Sequence, residues 1–585
     1  MKRILLLSLL LVAGLTHAKQ PNVIIVITDD QGYGDLSCHG NPVLKTPHLD
    51  KLHGESVRLT DYHVAPTCSP TRAALITGRW TNRTGVWHTI MGRSMIRVNE
   101  VTIGQIFKDG GYATAMIGKW HLGDNYPYRP EDRGFQWVYR HGGGGVGQTP
   151  DYWDNAYFDG SYWFNGTPVP AKGFCTDVFF RQAMKFMREQ KKKDNPFLVY
   201  LCMNAPHGPM HSPVKYSLPY KGLGVGTANF FGMIANIDDN VGKLRSFLKK
   251  TGLEEDTILI FTTDNGTSSG SKVFNDGMRG KKGSEYDGGH RVPFFISWPK
   301  GKLGGGRDVD MITSYVDVVP TLVDMCDVPA PKGVKFDGVS IKPLLYGKDE
   351  NWPDRILVTD SQRVRDPIKW RKSAVMTDQW RLNNGKELYD IKADPGQKHD
   401  VFAKHPKVVE RLTKFYDGWW ADLEPSFKLT TEIYLGHPDA NPVRLTSHDW
   451  ITDGSTPWNQ RHIRDLVTNP RSTGFWAVKV IEAGEYEIEL RRWPKTLNKS
   501  IVAAIEAGDD VPGQQAFRAR PGKSFAAVKA HLNVGGQKLT KNIKKGATNV
   551  KFRLKLKPGN DELWAKFSDK DGKECGAYYA YVNKL

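Results

Sequence analysis

Cys68, Pro70 and Arg72 stand two residues apart in Ala65-Pro-Thr-Cys68-Ser-Pro70-Thr-Arg72-Ala-Ala-Leu-Ile-Thr77-Gly78-Arg79. This spacing places a nucleophile at the start of a helix. Ser69 is a capping type, Pro70 suits a first turn, and Ala73 to Ile76 favour helix. A group there feels the positive end of the helix dipole, and free backbone N–H groups face a bound anion. Arg72, one turn on, shares that face and can pin the anion. A structural cysteine ahead of a helix would account for the position of Cys68 but not for the whole set.

Four oxygen-bearing side chains form a second group: Asp29, Asp30, Asp264 and Asn265. Hard oxygen ligands suit Ca²⁺ or Mg²⁺ and suit Zn²⁺ or copper poorly. Each pair alone reads equally well as turn residues. Adjacent carboxylates repel, however, so Asp29-Asp30 calls for a cation nearby. Lys119, His121, His207 and Lys282 add positive charge and proton-transfer capacity. A divalent cation with lysines and histidines suits a tetrahedral oxyanion, and sulfate and phosphate esters both qualify.

The elements needed to position these residues are legible as short apolar runs. Val23–Thr28 leads into Asp29-Asp30, and Tyr112–Ile117 leads into Gly118-Lys119-Trp-His121. Pro196–Cys202 leads into Asn204-Ala-Pro-His207, and Thr257–Thr263 leads into Asp264-Asn265. Such β-branched runs read as buried parallel strands. Helical stretches at Val101–Lys108, Val178–Gln190 and Ala235–Lys249 fill the gaps. The alternation predicts an open α/β sheet with helices on both faces, and such sheets bind ligands beyond the carboxyl ends of their strands.

The Cys68 segment resembles the signature of the formylglycine-dependent sulfatases of the arylsulfatase type, Cys/Ser-x-Pro-x-Arg followed by Thr-Gly-Arg. Asp29-Asp30-Gln-Gly-Tyr-Gly34, Gly118-Lys119-Trp-His121-Leu-Gly123, Asn204-Ala-Pro-His207-Gly-Pro209, Thr263-Asp264-Asn265-Gly266 and Lys282-Gly-Ser-Glu-Tyr286 resemble further motifs of that family, in the same order. The resemblance runs from about residue 21 to about residue 425. It implies an alkaline-phosphatase-like sheet sandwiched by helices, a small C-terminal antiparallel subdomain, and a reaction that releases inorganic sulfate. It implies that a formylglycine-generating or anaerobic sulfatase-maturating enzyme converts Cys68 to Cα-formylglycine (3-oxoalanine), whose hydrate attacks sulfur. Asp29, Asp30, Asp264, Asn265 and residue 68 would hold Ca²⁺, with Mg²⁺ as second choice. Arg72 and Lys119 would stabilise the hydrate, and His121 would take its proton. His207 and Lys282 would serve the leaving oxygen and the sulfate; Lys119, His207 and Lys282 would touch substrate. Lys282 is preferred to Lys281 because it directly precedes Gly283. His211 reads either as a substrate contact or as a solvated loop residue.

Elsewhere, residues 125–175 read as an aromatic loop, either a pocket rim or a packed excursion. After Glu424-Pro425 the texture changes to alternating strands: Trp476–Ile481, Gly484–Leu490 and Val550–Lys557. These predict an appended β-sandwich. Gly536–Lys557 holds eight Lys or Arg and no acid, so one sandwich face either binds an acidic glycan or is merely solvated. The expected division is 1–18 signal peptide, 19–340 catalytic domain, 341–425 subdomain and 426–585 accessory sandwich. On this division, removing the sandwich should spare activity on a small aryl sulfate.

Lys2 and Arg3 before the apolar run Ile4–Leu15, closing on Ala18, form a signal-peptide layout. The expectation is an exported protein, periplasmic or secreted, with no transmembrane segment. Six cysteines leave disulfides open, although Cys202 lies in an apolar run that suits a buried thiol. The 585 residues carry a formal charge of +18. In an exported protein that charge favours a sulfated glycan over nucleic acid. Competing expectations are a phosphodiesterase or phosphonate monoester hydrolase of the same superfamily, a general arylsulfatase, and a polyanion-binding protein with a dead site.

Overall fold

The computed structural model describes residues 20–348, 350, 352–466, 473–513 and 517–585; the signal-peptide segment lies outside the described residues. Four fully or almost fully buried strands carry the centre of a ten-stranded sheet: β1 (Asn22–Thr28), β2 (Ala113–Gly118), β3 (Phe197–Cys202) and β4 (Thr257–Thr263). Their spatial order is β4-β1-β3-β2, every neighbour parallel. Apolar runs without polar alternation require cover on both faces. Val23, Ile25 and Ile27 point into the core that holds Ala73, Ile76 and Phe107. Ile24 and Val26 point the other way, onto Phe179 and Ile237 of the helices Cys175–Lys193 and Val225–Thr251. The sheet is mixed at its margins, where Phe294–Ser297 runs antiparallel to β4.

The segment 125–175 departs from the expected loop. Trp137–Arg140 pairs parallel with β2, and Ser161–Phe164 with Thr167–Pro170 forms an antiparallel edge hairpin. These four-residue strands, set among Gly and Asp, are too short to show a period.

Leu357–Asp360, Ser373–Met376, Trp380–Asn383 and Glu387–Asp390 form the expected antiparallel subdomain sheet. The helix Pro406–Phe427 covers it, burying Leu412 and Tyr416 against Val358 and Leu382. The helix continues through Pro425, two residues past the boundary read from the sequence.

The C-terminal region is all β among the described residues, apart from short helical turns. One sheet contains β5 (Phe475–Val480), β6 (Lys529–Val534), β7 (Gln537–Asn542) and β9 (Gly559–Ser568) in the order β5-β9-β6-β7. The other contains β8 (Val550–Leu556), with Val550, Phe552, Leu554 and Leu556 inward and Lys551, Arg553 and Lys555 outward. The seam with the catalytic part is extensive. Trp153 meets Trp493 edge to face at 5.6 Å, and the Gln460 amide donates to the carbonyls of Gln148 and Tyr152. All six cysteines are free thiols, and Cys202 is fully buried. No helix among the described residues is long and apolar enough to cross a membrane.

Candidate active site

The four central strands deliver their last residues to one end of the sheet, where the predicted site residues converge. Thr67, extended at φ −148°, holds the N-cap position without a side-chain bond, and Cys68 is the first residue of the helix Cys68–Thr77. Ser69 therefore lies inside the first turn and is not the cap. Cys68 is 3% exposed. Arg72 clamps Asp264 Oδ2 through Nε at 3.0 Å and Nη2 at 2.8 Å, and its Nη1 donates to the Lys119 carbonyl. Lys119 Nζ lies 2.6 Å from Asp29 Oδ2, both side chains fully buried. Lys282 Nζ pairs with Asp30 Oδ1 and stands 3.7 Å from Cys68 Sγ. Its neighbour Lys281 is exposed. Asn265 Nδ2 donates to Asp30 Oδ1 at 3.0 Å, and the Asp30 N–H donates to Asp264 Oδ1 at 3.1 Å.

Two of these residues, Asp30 at φ 70° and His121 at φ 64°, adopt the left-handed conformation. Such backbone costs roughly 1–3 kcal/mol and persists where its surroundings enforce it, commonly at functional sites. Gly118, at φ 107°, is required for a second reason: a Cβ there would lie 1.8 Å from the Cys202 carbonyl oxygen. That close approach lets the Lys119 N–H reach the same oxygen at 2.9 Å.

Asp29 Oδ1 and Asn265 Oδ1 are buried and lack a hydrogen-bond partner among the described residues. One ligand atom each of Asp29, Cys68 and Asp264 lies within 4.8 Å of the others, and the same holds for Asp30, Cys68 and His207. Buried, unsatisfied acceptors of this kind are expensive unless a cation or donor meets them. The donor set is oxygen-rich and fits a hard divalent cation.

Burial raises the Asp29 carboxyl above its ordinary value despite Lys119. Burial also opposes ionisation of Asp30, but Lys282 and His207 outweigh it and hold that carboxyl well below the usual range. Burial and the Asp29 charge push Asp264 up to about 6. Burial pushes the Cys68 thiol up, against the pull of Lys119 and Lys282. His207 is pushed down to about 4 by burial, and His121 well down by burial and Lys119. Both rings are therefore neutral near pH 7. His121 Nε2 donates to the Thr89 carbonyl at 2.8 Å, which leaves Nδ1 as a buried lone pair with no partner among the described residues. His207 Nδ1 donates to the Gly208 carbonyl at 2.7 Å, which leaves Nε2 4.0 Å from Asp30 Oδ2. His211 is buried, 8% exposed, and so is not a solvated loop residue.

The glycine run His141–Gly145 packs directly on this site. A Cβ on Gly144 would meet the His121 ring at 2.0 Å, and one on Gly145 would lie 3.5 Å from His207. His448, from the β-sandwich region, escaped the sequence reading. Its ring centroid lies 6.0 Å from that of His121, and its Nδ1 is 2.9 Å from Asp449 Oδ1. Its backbone accepts from Met91 N–H at 2.9 Å and donates to Thr149 Oγ1 at 3.1 Å. His448-Asp449 stands in no motif or period, and its approach depends on docking of the two regions.

The sulfatase family model matches residues 21–328, and the N-sulphoglucosamine sulphohydrolase C-terminal model matches residues 281–416. Human arylsulfatase A is 28% identical over 464 residues, 69% of this chain and 89% of its own length. Dog N-acetylgalactosamine-6-sulfatase is 30% identical over 376 residues, 58% of this chain and 69% of its own. The crystal structure of Ps i-CgsB in complex with k-i-k-neocarrahexaose superposes with a TM-score of 0.63 at 27% identity, covering 68% of this chain and 92% of that one. The family match spans more than half of the 585 residues and includes every strand that delivers a site residue. The chain belongs to the sulfatase family of sulfuric ester hydrolases, in the alkaline-phosphatase-like superfamily.

Proposed function

We propose that this sulfatase is exported and releases inorganic sulfate from a sulfated poly- or oligosaccharide, using formylglycine at position 68 and a divalent cation, with Ca²⁺ the first choice. The carrying observation is the placement of Cys68, at a helix N-terminus beside Lys282 and within 4.8 Å of buried carboxylate oxygens. Formylglycine would supply a hydrated aldehyde, one hydroxyl serving as nucleophile and the other as the route of sulfate release. The cation would be held by Asp29, Asp30, Asp264, Asn265 and residue 68 and would supply neutralisation of the ester charge.

The chain's own groups divide the remaining work. Arg72 holds Asp264 and, through Nη1, the Lys119 carbonyl. Lys119 and Lys282 bring positive charge to the ester oxygens in a largely buried site, where such charge acts strongly. His121 accepts a proton at Nδ1, since its Nε2 is committed to Thr89. His207 presents Nε2 to the leaving oxygen; an anionic ester beside it favours the protonated ring that burial alone disfavours. Proton transfer of this kind contributes about 10²–10⁴-fold.

A glycan substrate is supported by the +18 charge and the appended sandwich. It is also supported by relatives: one is an N-acetylgalactosamine-6-sulfatase, and one structure holds a carrahexaose. Export rests on the leader-like first 18 residues. Two measurements test the reading. Mass spectrometry of the peptide containing residue 68, from native material, should find an aldehyde; an unmodified cysteine would refute the mechanism. Ion chromatography should find sulfate released from sulfated glycans, and none from the Cys68→Ala variant. Faster turnover of a phosphodiester, to its monoester and alcohol, than of any sulfate ester would assign the protein to phosphoryl chemistry instead.

A further inference from the structure

On the sandwich, the residues left outward by the strand register make a flat polar and aromatic face. Phe475 of β5, Trp564 of β9, Asn533 of β6 and Lys538 of β7 lie directly opposite one another in a single row across four strands. In the next row Lys566, His531 and Thr540 are paired in the same way. Directly opposed residues share a face, so both rows point away from the sandwich core, where Leu563, Ala565, Leu532 and Val534 are buried. Trp564 and Phe475 are only partly buried, with ring centroids 5.0 Å apart. A groove of about 400 Å³ runs over this face. It shares Thr473 and Trp564 with a second groove of about 190 Å³, which extends to Phe475, Asp453 and Arg365.

We infer that this face is a second carbohydrate site, taking a stretch of the same sulfated glycan outside the catalytic pocket. The inference rests on the proposed glycan substrate. The indole offers an apolar plate for a sugar ring, and Asn533 and Thr540 offer hydrogen bonds beside it, while His531 is held by Thr540 Oγ1 at 3.1 Å and Ser568 Oγ at 2.8 Å. Lys538 offers charge for sulfate groups; Glu574 holds Lys566 at 2.6 Å, Asp366 and Asp453 hold Arg365 at 2.8 and 2.5 Å, and Glu562 accepts from the indole N–H at 3.0 Å. The row from Phe475 to Lys538 spans four strands, which favours a chain over a free sugar. The Arg365 carbonyl accepts from Arg93 Nε, and the Arg363 N–H bonds the Trp87 carbonyl. The 363–366 segment thus bonds the Trp87–Arg93 stretch, whose Thr89 carbonyl fixes the His121 ring, and reaches the edge of the outer groove.

The test uses the full chain, with dextran sulfate and chondroitin sulfate as probes and dextran as the uncharged control. Trp564→Ala removes no charge and should weaken binding of the sulfated polymers about tenfold, the scale of a lost aromatic contact. Lys538→Ala, on an exposed strand position, should weaken it without a change in melting temperature. Turnover of a small aryl sulfate should be unchanged in both variants. Lys555→Ala with Lys557→Ala, near the end of β8 on the other sheet and just beyond it, serves as the charge control and should have a smaller effect. Unchanged binding by Trp564→Ala, or an equal loss in the charge control, would overturn the inference. Binding that depends on Trp564 in a protein that releases no sulfate from any glycan would retain this site and refute the catalytic proposal. Sulfate release with Trp564-independent binding would do the reverse.

Discussion

Asp29 and Asp30 are adjacent, yet the structure gives them opposite electrostatics. Lys119 meets Asp29 in full burial, whereas Lys282 and His207 approach Asp30 from a partly open side. The sequence showed that two neighbouring carboxylates need cations, because that follows from charge alone. It did not show which lysine serves which aspartate, because that depends on where separate strands end. Breaking a buried pair by removing one partner costs about 3–5 kcal/mol, so a Lys119 variant requires a melting control before its activity is interpreted. The cleaner residue-scale test is proton linkage to metal binding. Asp264, held up to about 6, and Asp29, also raised, must be ionised to serve as ligands. Below pH 6 a cation competes with a proton at Asp264; above it, that competition fades. Calorimetric affinity for Ca²⁺ should therefore climb from pH 5 to about pH 6.5 and then flatten, with proton release on the acid side. A flat affinity from pH 5 to 7.5 would show that these carboxylates do not bind the ion.

At the scale of elements, the strands announced themselves because their chemistry is uniform. Thr257–Thr263 was read with the bounds it has in the structure, and the other three central strands within one residue. Helix ends were less legible. Val225–Thr251 begins ten residues before the predicted Ala235, since its first turns carry Gly226 and Asn229 and lack an apolar period. The glycine run after His141 suggested a rim but not a reason for four glycines. The structure supplies one at Gly144, whose missing side chain makes room for His121. Gly144→Ala therefore tests whether the run shapes the site or merely bends the chain. Its backbone is not in the left-handed region, so the substitution acts through space alone. His121 is tied to Thr89 and 4% exposed, which leaves it little room to yield. Displacing a catalytic ring by about 1 Å costs on the order of 10²-fold in rate. The expected result is a fall of that size in kcat for an aryl sulfate, with the melting temperature within a few degrees of the parent. Full activity would mean that the loop moves aside at no cost.

At the scale of the whole molecule, the strand texture separated an accessory sandwich from the catalytic part, and the structure has the two sheets that texture implied. Independence of the sandwich was not something alternation can report, because a docking seam is built from residues far apart in sequence. Trp153 packs on Trp493, Arg464 pairs with Asp154, Arg365 with Asp453, and the Tyr128 hydroxyl donates to the Glu432 carbonyl. The apolar core is continuous across the seam, from Trp120 and Leu122 to Leu435 and Trp450. The loop that carries Met91 bonds the His448 backbone, and the Thr89 carbonyl two residues earlier fixes the His121 ring. A chain ending at residue 427 would expose that core and remove a support of the Thr89–Met91 loop. It should yield little soluble protein, and any soluble fraction should hydrolyse a small aryl sulfate at well under a tenth of the parental rate. Measured by gel filtration and aryl sulfate turnover per folded molecule, that outcome would make the sandwich part of the enzyme's architecture. A monodisperse truncated protein with parental turnover would make it a detachable appendage and confine its role to the outer glycan face.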